Sequence, residues 1–141
     1  MKMAFIGGGK MAEAILQGVL SGGLADPEDI AVGERVPARR EYLSKEFGIS
    51  AVDDNLKAAS QADLLVFAVK PQDLGPAMGQ LKGQLTTKQT AISIVAGAKI
   101  STLAQGLGHP FVIRVMPNTP AQIGSGMSLW TCSDHVDESA K

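Results

Sequence analysis

The chain has 141 residues, of which 45% are hydrophobic and 19% charged, enough for one domain with a buried core and too apolar for a disordered one. A formal net charge of −1 supplies no field that would draw it to nucleic acid or to an acidic membrane, and 4% aromatic content leaves few platforms for stacking bases. One cysteine, Cys132, excludes an internal disulfide and a cysteine-based zinc cluster, while His109 and His135 stand far apart without metal-ligand spacing.

The opening "MKMAFIGGGK" has an apolar run too short for a signal peptide, and no stretch approaches the length of a membrane span, so a cytoplasmic location is expected. Met3 to Ile6 reads as a short buried strand, and Met11, Ala14, Ile15 and Val19 recur at helical spacing. Gly7, Gly8 and Gly9 therefore fall at a strand-to-helix junction. A glycine turn follows, with Asp26-Pro27 suited to capping it, and then "IAVG" gives a second strand ending at Gly33-Glu34-Arg35. Pro37 fits the first position of a helix running to Phe47, and Gly48 fits its C′ residue.

"ISAV" predicts a short third strand, with a helix capped near Asp53 or Asp54. "DLLVFAV" is apolar on both sides, as a parallel strand covered by helices on both faces should be. Lys70-Pro71 closes it, and a helix through Gln84 follows, weakened by Gly75, Gly79 and Gly83. "TAISIVA" is another buried strand, Ser101 is placed to cap a helix, and "FVIRVMP" is the next strand. "GMSLWTC" predicts one more, with Ser133 or Asp134 opening a last helix.

Strands alternating with helices imply a Rossmann-like, doubly wound α/β fold: a mainly parallel sheet with helices on both faces. Ligands of such sheets sit at the carboxyl ends of the strands. The unusual residues gather at those ends: Gly7 to Gly9, Gly33 to Arg35, Val69 to Pro71, Ala96-Gly97 and Met116 to Thr119.

Gly7-x-Gly9-x-x-Ala12 matches the dinucleotide fingerprint with Ala in the third place. Gly7 permits the tight turn, Gly9 lets backbone approach a pyrophosphate, and Ala12 keeps the helix close to the sheet. The helix start offers unpaired N–H groups and partial positive charge. A plain glycine-rich turn is the competing reading, and its place after the first strand counts against it. At the second strand's end Glu34 could accept a ribose 2′-hydroxyl, which favours NAD, whereas Arg35 could pair with the 2′-phosphate of NADP. Arg39 and Arg40 either add positive charge there or form a solvated helix face. Lys70 either reaches the cofactor's ribose or is simply solvated, and Asn55 either touches the adenosine side or serves the helix start. Asn118, between two prolines, orients a nicotinamide or a substrate or else caps its turn. His109 reads as a loop histidine without a catalytic role, and Trp130 and Cys132 as core or interface.

Taken together, "FIGGGKMAEAI", "AVKPQ", "ISIVAGA" and "VIRVMPNTPAQIGSGM" resemble the pyrroline-5-carboxylate reductase family from Met3 to about Trp130. The glycine loop is shared with many dehydrogenases; "RVMPNTP" combined with "AVKPQ" is far more specific. The resemblance implies hydride transfer from NADPH, or NADH, to the C=N carbon of 1-pyrroline-5-carboxylate, giving L-proline in the final step of proline biosynthesis. It implies cofactor contacts at Ile6, Gly7, Gly8, Gly9, Lys10 and Met11, at Glu34 and Arg35, and at Asn55. Further contacts fall at Ala68, Val69, Lys70 and Pro71 and at Ile94, Val95 and Ala96, with Asn118 beside the nicotinamide and no metal.

Many members carry a small polar residue where this chain has Glu34, which puts a strict NADP preference in doubt. Members also continue into a helical domain that forms a homodimer or higher oligomer and supplies much of the substrate pocket. Residues 1–141 are therefore expected to be the dinucleotide-binding domain, truncated near its C-terminal end, with no proton donor of their own, inactive alone and monomeric. Neither nucleic acid nor membrane is an expected partner. Two other functions compete: a non-catalytic NAD(P)-binding module, and a related reductase of the hydroxy-acid or deazaflavin-dependent type.

Overall fold

The computed structural model describes residues 1–117 and 128–140. Strands and helices alternate from the start: β1 (Met3–Ile6), α1 (Lys10–Ser21), β2 (Ile30–Gly33), α2 (Pro37–Phe47), β3 (Ser50–Val52) and α3 (Asn55–Ala59). They continue with β4 (Leu64–Phe67), α4 (Pro71–Leu81), β5 (Thr90–Ser93), α5 (Ile100–Leu107), β6 (Val112–Pro117) and β7 (Ser128–Cys132). Among the described residues, seven strands form one sheet in the order β3-β2-β1-β4-β5-β6-β7. The first six pair in parallel, and β7 runs antiparallel to β6. The chain reverses direction across the sheet between β1 and β4, which is the switch point where such sheets bind ligands.

Alternation of side chains along the central strands divides the core in two. Ala4 and Ile6 of β1, with Leu65 and Phe67 of β4, join Leu74, Ala77, Met78 and Leu81 of α4 and Leu103 and Leu107 of α5. Met3 and Phe5, with Val66, face the other way onto Ala12, Leu16 and Val19 of α1 and Leu43 of α2. Both faces are covered, which is why β4 reads as an uninterrupted apolar run. Pro37 does open α2, and Gly48 ends it at φ +69°, the left-handed region that glycine enters without a Cβ penalty. Asp54 caps α3, its side chain accepting from the amides of Leu56 and Lys57.

Three local expectations need correction. Helix α4 ends at Leu81, short of Gln84, because Lys82 leaves helical geometry at ψ 121° and Gly83 then turns the chain at φ +72°. Helix α5 begins at Ile100 with Lys99 at its N-cap, so Ser101 lies inside it and caps nothing. No helix opens at Ser133 or Asp134; the Ser133 hydroxyl instead ties β7 to the chain before β6 by bonding the Pro110 carbonyl, and a 3-10 turn forms at Glu138–Ala140. Of the two readings for Trp130, core or interface, its 53% exposure on edge strand β7 removes the core one, while Cys132 is half-buried. His109 does lie in a loop, but it is buried, with its Nε2 2.7 Å from the Gln89 carbonyl. Among the described residues no helix is long and apolar enough to cross a membrane.

Leu65 sits fully buried at the centre of the sheet. Leu65→Ala is expected to lower the unfolding free energy by about 2–5 kcal/mol, with an unchanged denaturant slope. A urea titration of both proteins checks this.

Candidate nucleotide-binding site

A cleft of about 250 Å³ opens at the carboxyl ends of β1, β2 and β4, walled by the glycine loop, the Glu34-Arg35 turn and α4. The strand ladder holds its floor: the Gly7 amide donates to the Gly33 carbonyl and the Ala68 amide to the Ile6 carbonyl, both at 2.9 Å. Gly7 takes φ +97°, and a Cβ there would stand 2.8 Å from Val69 Cγ1 and 2.9 Å from the Ala68 carbonyl oxygen. Both the backbone conformation and the close approach of β4 require glycine. Gly9 is different. It has ordinary extended backbone, and nothing lies within 4 Å of where its Cβ would be. Its empty side faces solvent at the start of α1, where Lys10, Met11 and Ala12 have no carbonyl one turn back to receive their amides.

Of the residues expected to contact a cofactor, Gly7, Gly8, Gly9, Glu34, Arg35, Asn55, Ala68, Val69 and Lys70 are brought together around this cleft. The others are not part of its lining. Ile6 and Val95 point into the core, Lys10 and Ala96 are exposed, and Met11 and Ile94 are half-buried elsewhere. Pro71 is the first residue of α4. Asn118 lies outside the described residues.

Sequence reading missed the far wall. Asp73, Pro76, Ala77 and Gln80 line the cleft from α4, and their spacing of three, four and seven residues is the signal that one helix face turns to the site. Two polar bridges cross to that wall. Arg35 Nη2 lies 3.2 Å from Asp73 Oδ1, and Asn55 Nδ2 donates to Gln80 Oε1 at 2.8 Å. The arginine side chain is 77% exposed, so its ion pair contributes little and is easily exchanged.

Arg39 and Arg40 form no solvated face. Arg40 Nη1 donates to the carbonyls of Glu34 and Arg35, both at 2.8 Å. Arg39 reaches back to the glycine loop, donating from Nε to the Gly8 carbonyl and from Nη2 to that of Gly9, and pairs with Glu13 of α1. Tyr42 donates to the other Glu13 oxygen at 2.7 Å, and the guanidinium stacks over its ring at 5.0 Å. Burial alone would raise the Glu13 carboxyl, but hydrogen bonds from Arg39 and Tyr42, aided by the charges of Arg39 and Lys10, hold it below its ordinary value of 4.5. Its bond to Glu13 in turn raises the Tyr42 phenol.

The family described as NADP oxidoreductase, coenzyme F420-dependent, matches residues 2–97. The chain belongs to this family. The chain is also 41% identical over 137 residues to the pyrroline-5-carboxylate reductase of a Synechocystis species, covering 97% of this chain and 51% of that protein. A solved pyrroline-5-carboxylate reductase from Coxiella burnetii superposes with a TM-score of 0.92 at 32% identity, over 98% of this chain and 52% of that one. The Plasmodium falciparum pyrroline carboxylate reductase, solved with NADP bound, superposes with a TM-score of 0.85 at 26% identity, over 99% of this chain and 51% of the other. The chain spans about half the length of the curated relatives it matches.

Because the Glu13 carboxyl is depressed in the folded state, its contribution is complete above about pH 4.5 and is lost as pH falls through the lower folded value. Glu13→Gln is therefore expected to be less stable than the parent at pH 7, with the gap closing as pH falls below about 4.5. Urea unfolding of both proteins across that range tests the sign.

Proposed function

We propose that this chain binds NADPH in the cleft between the glycine loop and α4 and forms the cofactor half of a pyrroline-5-carboxylate reductase. The observation that carries the reading is the open side of Gly9 at the start of α1, continuous with a cleft whose other end holds Arg35. The pyrophosphate belongs on the free amides at the head of α1, where the helix dipole and the missing Cβ both favour it. Arg35 exchanges Asp73 for the 2′-phosphate, a bidentate partner of greater charge. Lys70 and Asn55 border the path between them. NADH fits the same cradle but leaves Arg35 without that partner, so NADPH is the preferred form.

When bound, the cofactor supplies a hydride to the C=N carbon of 1-pyrroline-5-carboxylate, whose nitrogen takes a proton to give L-proline. This chain's own part is to bind and orient the dinucleotide. We propose that residues 1–141 are the nucleotide domain, that Asn118 lies next to the nicotinamide, and that the other half of the longer form supplies the proton donor, the substrate pocket and a homodimeric or larger assembly. A cytoplasmic setting goes with this reading. The family description favours a second reading, hydride exchange with a deazaflavin, which needs the same NADP cradle. Assay of the longer form with both acceptors separates the two.

Calorimetric titration of the chain with NADPH and NADH tests the cradle. Arg35→Ala should weaken NADPH by roughly tenfold and leave NADH within about twofold, since only the phosphate contact is lost. Gly9→Ala, an N-cap change, should cost about 1 kcal/mol or less and still fold, yet bind neither dinucleotide, because its methyl group fills the phosphate's space without touching protein. A folded parent that takes up neither ligand contradicts the proposal.

A further inference from the structure

Glu34 stands where a carboxylate reads the ribose of NAD, yet its oxygens are already engaged. Oε2 accepts from the Gly8 amide and Oε1 from the Val36 amide, each at 2.9 Å. The opposite side of the same loop residue is held as well, since Arg39 donates to the Gly8 carbonyl. Gly8 is the variable position of the fingerprint, so nucleotide binding alone does not require glycine there. Packing does: a Cβ on Gly8 would come within 2.6 Å of Leu43 Cδ1 and 3.1 Å of Glu34 Oε2. The loop is drawn against α2 and the end of β2 closely enough for Glu34 to reach it.

Resting on the NAD(P) reading above, we propose that Glu34 and Arg39 are positioning residues that grip Gly8 from its amide and its carbonyl, and that Glu34 leaves the choice of adenosine 2′ group to Arg35. A carboxylate on an amide and a guanidinium on a carbonyl are charge-assisted bonds, stronger than their neutral counterparts. Together they fix the loop with Gly9 and the first amides of α1 turned outward, so the phosphate site is formed before the ligand arrives. Each Glu34 oxygen already accepts a backbone amide, so a ribose hydroxyl would have to share an acceptor whose position the loop fixes. Arg35, by contrast, gives up only an exposed pair with Asp73. Arg39 and Arg40 are both committed to backbone carbonyls, which leaves Arg35 as the arginine of this turn free to change partner.

The grip and a ribose contact make opposite predictions for one variant. Glu34→Gln keeps one carbonyl oxygen but sets an NH₂ group against the second amide. If Glu34 braces the loop, NADPH and NADH should both weaken by roughly tenfold, with their affinity ratio within about twofold of the parent. Calorimetry on folded protein reads this directly, and Arg39→Met, acting from the carbonyl side, should give the same parallel loss even if the first variant does not fold. Selective weakening of NADH with NADPH unchanged or tighter would overturn the inference and make Glu34 the ribose reader. So would a lower melting temperature with both affinities unchanged, the mark of a purely structural contact. Parent protein that binds neither dinucleotide overturns the nucleotide reading itself and this inference with it, a result distinct from either.

Discussion

The close approach of β1 and β4 at their carboxyl ends is the constraint on which the site depends. Gly7 is squeezed there between the Ala68 carbonyl and the Val69 side chain, in a backbone conformation that excludes other residues at low cost. Its amide still completes the ladder to Gly33. From this point the chain leaves β1 and enters α1, so the head of the helix is held over the switch point of the sheet. Every other feature of the cleft is set relative to that crossing: Arg35 from the end of β2, Lys70 from the end of β4, and the α4 wall beyond it.

The three glycines do three different things. Gly7 satisfies a backbone and packing demand from β4. Gly8 satisfies a packing demand from α2 and Glu34, and Gly9 meets no demand from the protein at all. Gly18, Gly75 and Gly79 are as open but lie within helices; Gly9 differs in lining the cleft at the head of α1. The polar residues divide in a similar way. Glu13, Tyr42 and Arg39 form one connected set of bonds onto the glycine loop, and Arg40 holds the carbonyls of the β2 turn. Arg35 and Asp73 remain exposed and exchangeable.

Much of the fold was legible because it is written in local signals. Apolar runs gave β1, β4 and β6, Pro37 gave the start of α2, and Gly48 its end. The glycine loop, legible from its place between strand and helix, lines the cleft. What escaped depends on partners far away in sequence. Nothing in "GERVPARR" indicates that Glu34 turns back to Gly8, 26 positions earlier, or that Arg39 reaches the same residue. Residue type alone left Glu34 and Arg35 as rival readers of the adenosine 2′ group, and left Arg39 and Arg40 as either added charge or a solvated face. The antiparallel setting of β7 and the exposure of Trp130 likewise follow from pairing with β6 rather than from their own pattern. The α4 wall was accessible to periodicity, since Asp73, Pro76, Ala77 and Gln80 fall on one helix face.

The most direct measurement is an amide NMR titration of the chain with NADPH. The amides of Gly9, Lys10 and Met11 should shift together and saturate, as phosphate oxygens take up the free N–H groups at the head of α1, while the Gly8 amide, already bonded to Glu34, should move least of the four. Saturable shifts confined to residues outside the cleft, with the glycine loop unmoved, would contradict the account.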